Sequence, residues 1–359
     1  MQKIDNLKGF KNPYTLDLLG QEMPVTIIPH EEIQKGFPLS IYSFKTINKL
    51  SREALKHPGR FVYDKVAVYV NSKDEKYPTK IRTMVGESER FSGVRTFGAN
   101  EKNPQRGRRR SNNLFCLYDN VTGELVSIMC GDAISDFRTA SSVAIGIEAI
   151  GLPDSEYSVS VLGIGAIGTA VVFALAALRK PPKTIRMVAA RKCEYSSIRE
   201  RVTHYLKRTF EAKLDHKVDL LPCENLKEAL GRDTDIVVDA MSLPYYQEIV
   251  NESILSIKNR KHFIYADANK QALAASLVDQ FHTHVFDSLK LARRLESSVG
   301  NTLKERLESS NVLSIGTLLR NEAEASPLST CTIMGLPIID TAIGALIYTC
   351  LRRDPCEIS

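Results

Sequence analysis

From residue 159 to about residue 300 the chain alternates short apolar runs with longer amphipathic ones. VSVLGIG begins the series, and the apolar stretch from Ile167 to Leu178 reads as the helix that follows it. TIRMVAAR comes next, then a helical pattern from about Ser197 to Ala212. KVDLLPC, NLKEALGR and DIVVDAMS continue the alternation, and HFIYADA and THVFDS are its last clear strands. Short β-branched strands separated by helices predict parallel βαβ units. The expected result is an α/β, Rossmann-type doubly wound parallel sheet, which holds its ligand at the carboxyl ends of the strands.

The first 135 residues are patterned differently. MPVTIIP, RFVYDKVAVYV, TKIRTMVG and GVRTFGA read as strands. NLFCLYDNVTGELVSIMCGD reads as a hairpin around Asn120-Val-Thr-Gly123, whose Gly suits a turn. This half is expected to be α+β and mainly antiparallel. Ser135 or Asp136 is placed to cap a helix running to about Ile150, with Gly151 to end it. After residue 310 the chain is expected to leave the βα pattern. It closes with an apolar helix from about Pro337 to Leu351, Pro at its first position, packed back on the first half.

Composition adds limits. A chain of 359 residues can form two domains, each with its own core. Apolar content of 43% and charged content of 25% are ordinary for a soluble globular protein. A net charge of +6 fits an anionic ligand such as a phosphorylated cofactor. The most basic run, Arg106-Gly-Arg-Arg-Arg110, lacks the aromatics and length of a nucleic-acid surface and reads as a solvated loop, so no nucleic acid is expected. MQKIDNLKGFKNP has no apolar core and is not expected to be a signal peptide. No membrane segment is expected, because nothing approaches the roughly 18 apolar residues it needs. Cysteines 116, 130, 193, 223, 331, 350 and 356 are scattered without CxxC and read as free thiols in a reducing cytoplasm. His282 and His284 would share a strand face, but no acidic or Cys cluster completes a site, and no metal is expected.

The turn after the first strand of the alternating region is Gly163-Ile-Gly165-Ala-Ile-Gly168. It follows a predicted strand and opens a predicted helix, the context in which GxGxxG marks a dinucleotide loop. Gly163 permits the tight turn, Gly165 lets backbone approach the pyrophosphate, and Gly168 lets helix and strand pack closely. An NAD site ordinarily has an acid at the end of the next strand, for the ribose 2′-OH. Here Ala189 or Ala190 holds that place, and Arg191 and Lys192 follow, suited to a 2′-phosphate. NADP(H) is therefore preferred as cofactor, with NAD(H) possible.

GDAISDFRTASSV, residues 131–143, resembles the segment before the nucleotide domain in the ornithine cyclodeaminase/mu-crystallin family. Arg138-Thr139-Ala140 matches that family's Arg-Thr-Ala/Gly helix start, 25 residues ahead of Gly163. GVRTFGAN with RSNNLFCLYDNVTGE looks like its substrate-domain hairpin, and MGLPIIDTAIGA, residues 334–345, looks like its C-terminal helix start. The Gly-Leu-x-Ile-x-Asp form looks most like the branch that forms 2,3-diaminopropionate for siderophore precursors. The resemblance implies a substrate-binding and dimerisation domain from residues 1–138 and 315–359, a Rossmann domain of residues 139–314 between them, and a homodimer. It implies hydride chemistry at the α-carbon of amino or imino acids.

Roles follow for particular residues. Arg138, expected in a helix first turn, can hold an α-carboxylate in a bidentate fork. Arg95 stands where the family commonly has Lys; it can bind a carboxylate but stays charged and is a poor base. Arg82 is a further candidate carboxylate ligand. The family's cyclodeaminases carry an Asp after the fourth Rossmann strand, and the matching position here is Leu243. Asp239, inside that strand, should point elsewhere. Asp267 ends the fifth strand and matches a family Asp on the cofactor side of the cleft, where it can position amine or water. Met334 and Gly335 match residues near the nicotinamide. Thr139, Ala166, Ile167 and Met241 complete the expected cofactor contacts. Asp340 reads as a first-turn acid favoured by the helix dipole.

The expected function is an NAD(P)(H)-dependent oxidoreductase on the C–N bond of an amino or imino acid. One alternative is an ornithine cyclodeaminase-type lyase with bound dinucleotide, against which the missing Asp and Lys argue. Another is a mu-crystallin-like NADP(H)-binding protein with little catalysis.

Overall fold

The computed structural model describes residues 16–18, 21–23, 25–57, 63–70, 79–100, 102–152, 155–189, 218–231, 234–241, 262–266, 281–294 and 311–352. The expected helix at 197–212 lies outside them, as do Ala190, Arg191, Lys192, Leu243 and Asp267.

Two sheets organise the chain. The N-terminal one has six strands: β3 (Thr26–Ile28), β4 (Tyr63–Val70), β5 (Thr79–Glu87), β6 (Phe91–Ala99), β7 (Ser111–Asp119) and β8 (Leu125–Cys130). Their order is β3-β8-β7-β6-β5-β4. Only β3 runs parallel to its neighbour; the others form an antiparallel meander, as their alternating pattern predicts. A small separate hairpin, β1 (Leu16–Leu18) with β2 (Gln21–Met23), precedes them. Gly123, at a φ of +74°, makes the expected turn between β7 and β8.

The second sheet has eight strands, all parallel among the described residues: β9 (Ser158–Leu162), β10 (Thr184–Val188), β11 (Asp219–Cys223), β12 (Ile236–Asp239), β13 (His262–Tyr265), β14 (Thr283–Phe286), β15 (Val312–Ser314) and β16 (Ser329–Thr332). The order β11-β10-β9-β12-β13-β16-β14-β15 reverses beside β9, which makes the carboxyl end of β9 a topological switch point.

One expectation is corrected. The chain does not leave the sheet after residue 310. β15 and β16 both join it, and β16 inserts between β13 and β14. Its sequence, STCT, is polar by composition, so it carries no apolar-run signal although all four residues are buried. The sheet therefore draws a strand from beyond residue 314.

Five helices matter for the site. α1 (His30–Gly36) and α2 (Ile41–Lys56) come from a stretch that the strand and glycine patterns do not mark. The Ser40 hydroxyl caps α2 by accepting from Ser43 N–H, and Ile41, Phe44, Ile47 and Leu55 bury one stripe of it. α2 ties the two halves together: Asn48 Nδ2 donates to the Ala174 carbonyl at 3.0 Å, and Arg52 pairs with Glu148. α3 (Gly131–Ile150) crosses from one sheet to the other, with fourteen buried residues, and Gly151 ends it at a φ of +101°. α4 (Ala166–Ala176) follows β9. α5 (Pro337–Arg352) packs back on β5 and β6, where the Thr341 hydroxyl donates to the Gly86 carbonyl at 3.0 Å. No helix among the described residues is long and apolar enough to cross a membrane.

Candidate functional site

The glycine loop sits at the switch point. Gly163 has a φ of +89°, and its N–H donates to the Val188 carbonyl at 2.9 Å. A Cβ there would lie 2.5 Å from Met241 Cγ, so Met241 packs directly on the turn. A Cβ at Gly168 would run into the Gly163 carbonyl, which is the close helix–strand approach expected of the third glycine. Gly165 differs: a Cβ there would meet nothing within 4 Å. Gly165 is also the N-cap of α4, and no side chain caps the helix. The N–H groups of Ala166, Ile167 and Gly168 therefore have no intrahelical partner, and Gly165 and Ala166 are exposed. Open backbone at a helix N-terminus fits the pyrophosphate of a dinucleotide. At the end of β10, Ala189 offers no carboxylate for a ribose hydroxyl.

Other strand ends supply buried acids. Asp239 ends β12 fully buried, and its Oδ1 accepts from Met241 N–H at 3.0 Å. Asp287, just past β14, was not foreseen. It is 1% exposed, and its two oxygens accept from Met334 N–H and Gly335 N–H, each at 2.8 Å. Met334 and Gly335 are thereby held as a fixed turn, with Gly335 at a φ of +87°. A Cβ on Gly335 would lie 2.5 Å from Arg138 Nη1, so the turn seats the Arg138 guanidinium.

The arginines come from the six-stranded sheet and α3. Register places Arg95 of β6 opposite Met84 of β5 and Phe115 of β7. Arg82 lies on the same face as Met84, two residues away, opposite Phe97. Arg95 is 1% exposed. Its Nη2 donates to Met84 Sδ at 2.9 Å, and its guanidinium lies 5.1 Å from the Phe97 ring centre. Its Nε is 3.3 Å from Asp340 Oδ2, while Arg138 Nε is 3.5 Å from Asp340 Oδ1. Asp340, in the first turn of α5 and 1% exposed, thus lies between two guanidiniums. Among the described residues, Arg95 Nη1 and Arg82 Nε are buried without a hydrogen-bond partner. Burial chiefly, with the like charge of Arg138, brings the Arg95 guanidinium down to about 10 despite Asp340. It stays charged near neutrality and is no base there.

Arg138 itself is corrected. α3 begins at Gly131, not at Ser135 or Asp136, so Arg138 lies two turns inside the helix and gains nothing from its N-terminus. β8 runs straight into α3 because Gly131 packs on β7, where a Cβ would lie 2.9 Å from Asn113 Cβ. The first-turn acid is Asp132, which accepts from Asn113 N–H at 3.0 Å and from Arg109 Nη1 at 2.9 Å. Thr139 is buried, its hydroxyl donating to the Ser135 carbonyl at 2.8 Å.

The fold and the loop define a Rossmann-type protein with an N-terminal six-stranded sheet that carries the buried Arg95. The chain belongs to the ornithine cyclodeaminase/mu-crystallin family, whose model matches residues 45–240. Among solved structures it is similar to an archaeal alanine dehydrogenase dimer with bound NAD, at 16% identity and a TM-score of 0.64, covering 91% of this chain and 96% of that one. It is similar to the Δ1-pyrroline-2-carboxylate reductase of Thermococcus litoralis in complex with NADH and L-proline, at 13% identity and a TM-score of 0.66, covering 91% and 97%. A lysine cyclodeaminase is also similar, at 14% identity and a TM-score of 0.66, covering 91% and 92%. At these identities the likeness shows the fold. No curated protein matches in sequence.

Proposed function

We propose that the chain is an NAD(P)(H)-dependent oxidoreductase acting on the C–N bond of an amino or imino acid. The observation that carries this reading is the sharing of one buried carboxylate, Asp340, by two guanidiniums, Arg95 and Arg138. Two positive charges against one negative, with Arg95 Nη1 unpartnered, leave a buried cationic site that a substrate carboxylate completes. Arg82 adds a third guanidinium on the same face.

Bound nicotinamide would exchange a hydride with the α-carbon. Gly165 and the first turn of α4 would hold its pyrophosphate, and Met334 and Gly335 would contact its nicotinamide. Thr139 and Met241 add cofactor contacts. Asp267 positions amine or water. Arg95 and Arg138 clamp the carboxylate, and the catalytic gain comes mainly from the orientation of the two carbons. NADP(H) is the preferred cofactor, with Arg191 and Lys192 taking the 2′-phosphate. Arg95 in the place of a family Lys, and Leu243 in the place of a cyclodeaminase Asp, support this class over a lyase. The 2,3-diaminopropionate-forming branch is the favoured subgroup.

The two sheets divide the work: the N-terminal sheet with α5 takes substrate, and the parallel sheet takes cofactor. The chain forms a homodimer through the outer face of the N-terminal sheet. Ile81 and Val85 of β5 and Leu114 of β7 stand exposed there, on the face opposite Arg82 and Arg95.

Titration with NADPH and with NADH, followed by nicotinamide fluorescence, tests the cofactor half of the reading. NADPH is expected to bind more tightly, and Arg191→Ala to weaken NADPH alone. Equal binding, untouched by the substitution, would overturn the NADP preference; binding of neither would overturn the oxidoreductase reading.

A further inference from the structure

Arg95 is enclosed by three groups of different chemistry. Its Nε lies 3.3 Å from Asp340 Oδ2 of α5. Its guanidinium lies 5.1 Å from the ring centre of Phe97, two residues along β6 and on the same face. Its Nη2 donates to Met84 Sδ at 2.9 Å. Met84 stands directly opposite Arg95 across β5 and β6, so the register of the sheet itself holds the two side chains together. Both are 1% exposed.

A thioether is a distinctive partner for a buried cation, because its sulfur is a weak and uncharged acceptor. A carboxylate in its place would cancel the charge of Arg95 and compete with an anionic ligand. A hydrocarbon would leave Nη2 buried without an acceptor, which is costly. Met84 satisfies Nη2 and leaves the charge in place. Nη1 is then buried with no hydrogen bond among the described residues. The guanidinium is thus held by its other edges, and one nitrogen remains for a ligand.

We propose that Met84 is a positioning residue of the substrate-carboxylate site: its thioether fixes the Arg95 guanidinium so that Nη1 is the donor presented to the carboxylate. This assignment rests on the oxidoreductase reading above. Without the sulfur, the guanidinium can turn about its Cδ–Nε bond and bring Nη2 toward Asp340. Arg95 and Asp340 would then close into a two-point pair, which is stronger and leaves less of the positive charge for a ligand. Met84 holds that pair open. The contact is the same whether the bound carbon is planar or tetrahedral, so it acts on carboxylate binding and not on hydride transfer. Its loss should therefore appear in KM and leave kcat nearly unchanged, whereas a general loosening of the site would lower kcat as well.

The test uses the full chain with two substitutions. Met84→Leu keeps the bulk and loses the acceptor; Met84→Gln keeps an uncharged acceptor on a side chain of the same length. Substrates are Δ1-pyrroline-2-carboxylate and imines formed from 2-oxo acids with methylamine, with NADPH as reductant. Met84→Leu should raise KM by about tenfold and leave kcat within about threefold, and Met84→Gln should recover most of the KM. Carbon-13 labelling of the methionine methyls gives a readout independent of turnover. The resonance missing from either variant is that of Met84. It is expected to shift when pyrrole-2-carboxylate, a planar analogue that takes no hydride, is added at a concentration that halves turnover. An unmoved Met84 resonance, or a Met84→Leu protein with KM within about threefold of the unsubstituted one, would overturn the Met84 assignment alone. An equal rise in KM in both variants would also overturn it, because the side chain would then act by its shape. Dinucleotide binding without turnover of any imine by the unsubstituted protein would overturn the oxidoreductase reading, and the role of Met84 with it.

Discussion

Asp340 Oδ2 lies 3.3 Å from Arg95 Nε, and each side chain is 1% exposed. Taking both charges out of water costs several kcal/mol per ion, and the pair persists because neither can be removed alone. Asp340→Asn leaves Arg95 and Arg138 buried without a counter-charge. We expect it to destabilise the fold by about 3–5 kcal/mol in denaturant unfolding. Adding Arg95→Met, beside Met84, should recover a large part of that loss. An equal or greater loss in the double variant would mean that Asp340 acts by packing.

The glycine loop separates folding from binding. Gly165→Ala places a methyl in open space, so unfolding free energy should change by less than about 1 kcal/mol. Dinucleotide affinity should fall at least about tenfold, because the methyl occupies the approach to the α4 N-terminus. Gly168→Ala drives a methyl into the Gly163 carbonyl and should cost stability as well as binding. Parallel titrations and melts of the two variants check this, and a Gly165→Ala protein with unchanged affinity would sever the loop from the cofactor.

Asp136 couples stability to pH. Burial pushes its folded carboxyl up to about 7 against an ordinary value of 3.8. Between those values the folded chain keeps a proton that the unfolded chain has released. Stability therefore falls as pH rises through that window and is level above it. Asp136→Asn should remove this slope and be more stable than the unsubstituted protein at pH ~8, by about 1–3 kcal/mol, while matching it near pH ~4. Thermal unfolding at the two pH values measures the difference; a variant that is no more stable at the higher pH would contradict the raised value.

Gly335 offers a test of the turn that seats Arg138. Gly335→Ala combines a φ of +87° with a methyl 2.5 Å from Arg138 Nη1. We expect a loss of about 1–3 kcal/mol and a weaker substrate carboxylate site. Asp287→Asn, which keeps one acceptor for the two N–H groups it now serves, should show a milder form of the same defect. Unfolding curves and the KM for an imine read the two effects separately.

Much of this arrangement was legible in the sequence, and the parts that were not have physical causes. The strand, turn and helix around Gly163 are legible because the glycine spacing, the apolar run before it and the helical run after it agree. Strand β16 is not, because STCT is polar by residue type and is buried through its neighbours alone. The start of α3 is misread because Ser135 and Asp136 have capping side chains, whereas Gly131 begins the helix by packing on Asn113. Asp340 is visible as a first-turn acid, but its place between Arg95 and Arg138 depends on α5 returning to β5 and β6, a contact that no local pattern encodes. Asp287 carries a faint signal, an acid just past a buried strand, the same logic that picks out Asp267.

The most direct test of the central claim follows the hydride itself. The protein is supplied with nicotinamide cofactor carrying deuterium at C4, first on one face and then on the other, and with an imino acid that it reduces. The amino acid formed is examined by mass spectrometry and proton NMR. Our account predicts one deuterium at the α-carbon from one face of the cofactor and none from the other. Product without deuterium from either face, or ammonia released with the cofactor unchanged, would contradict it.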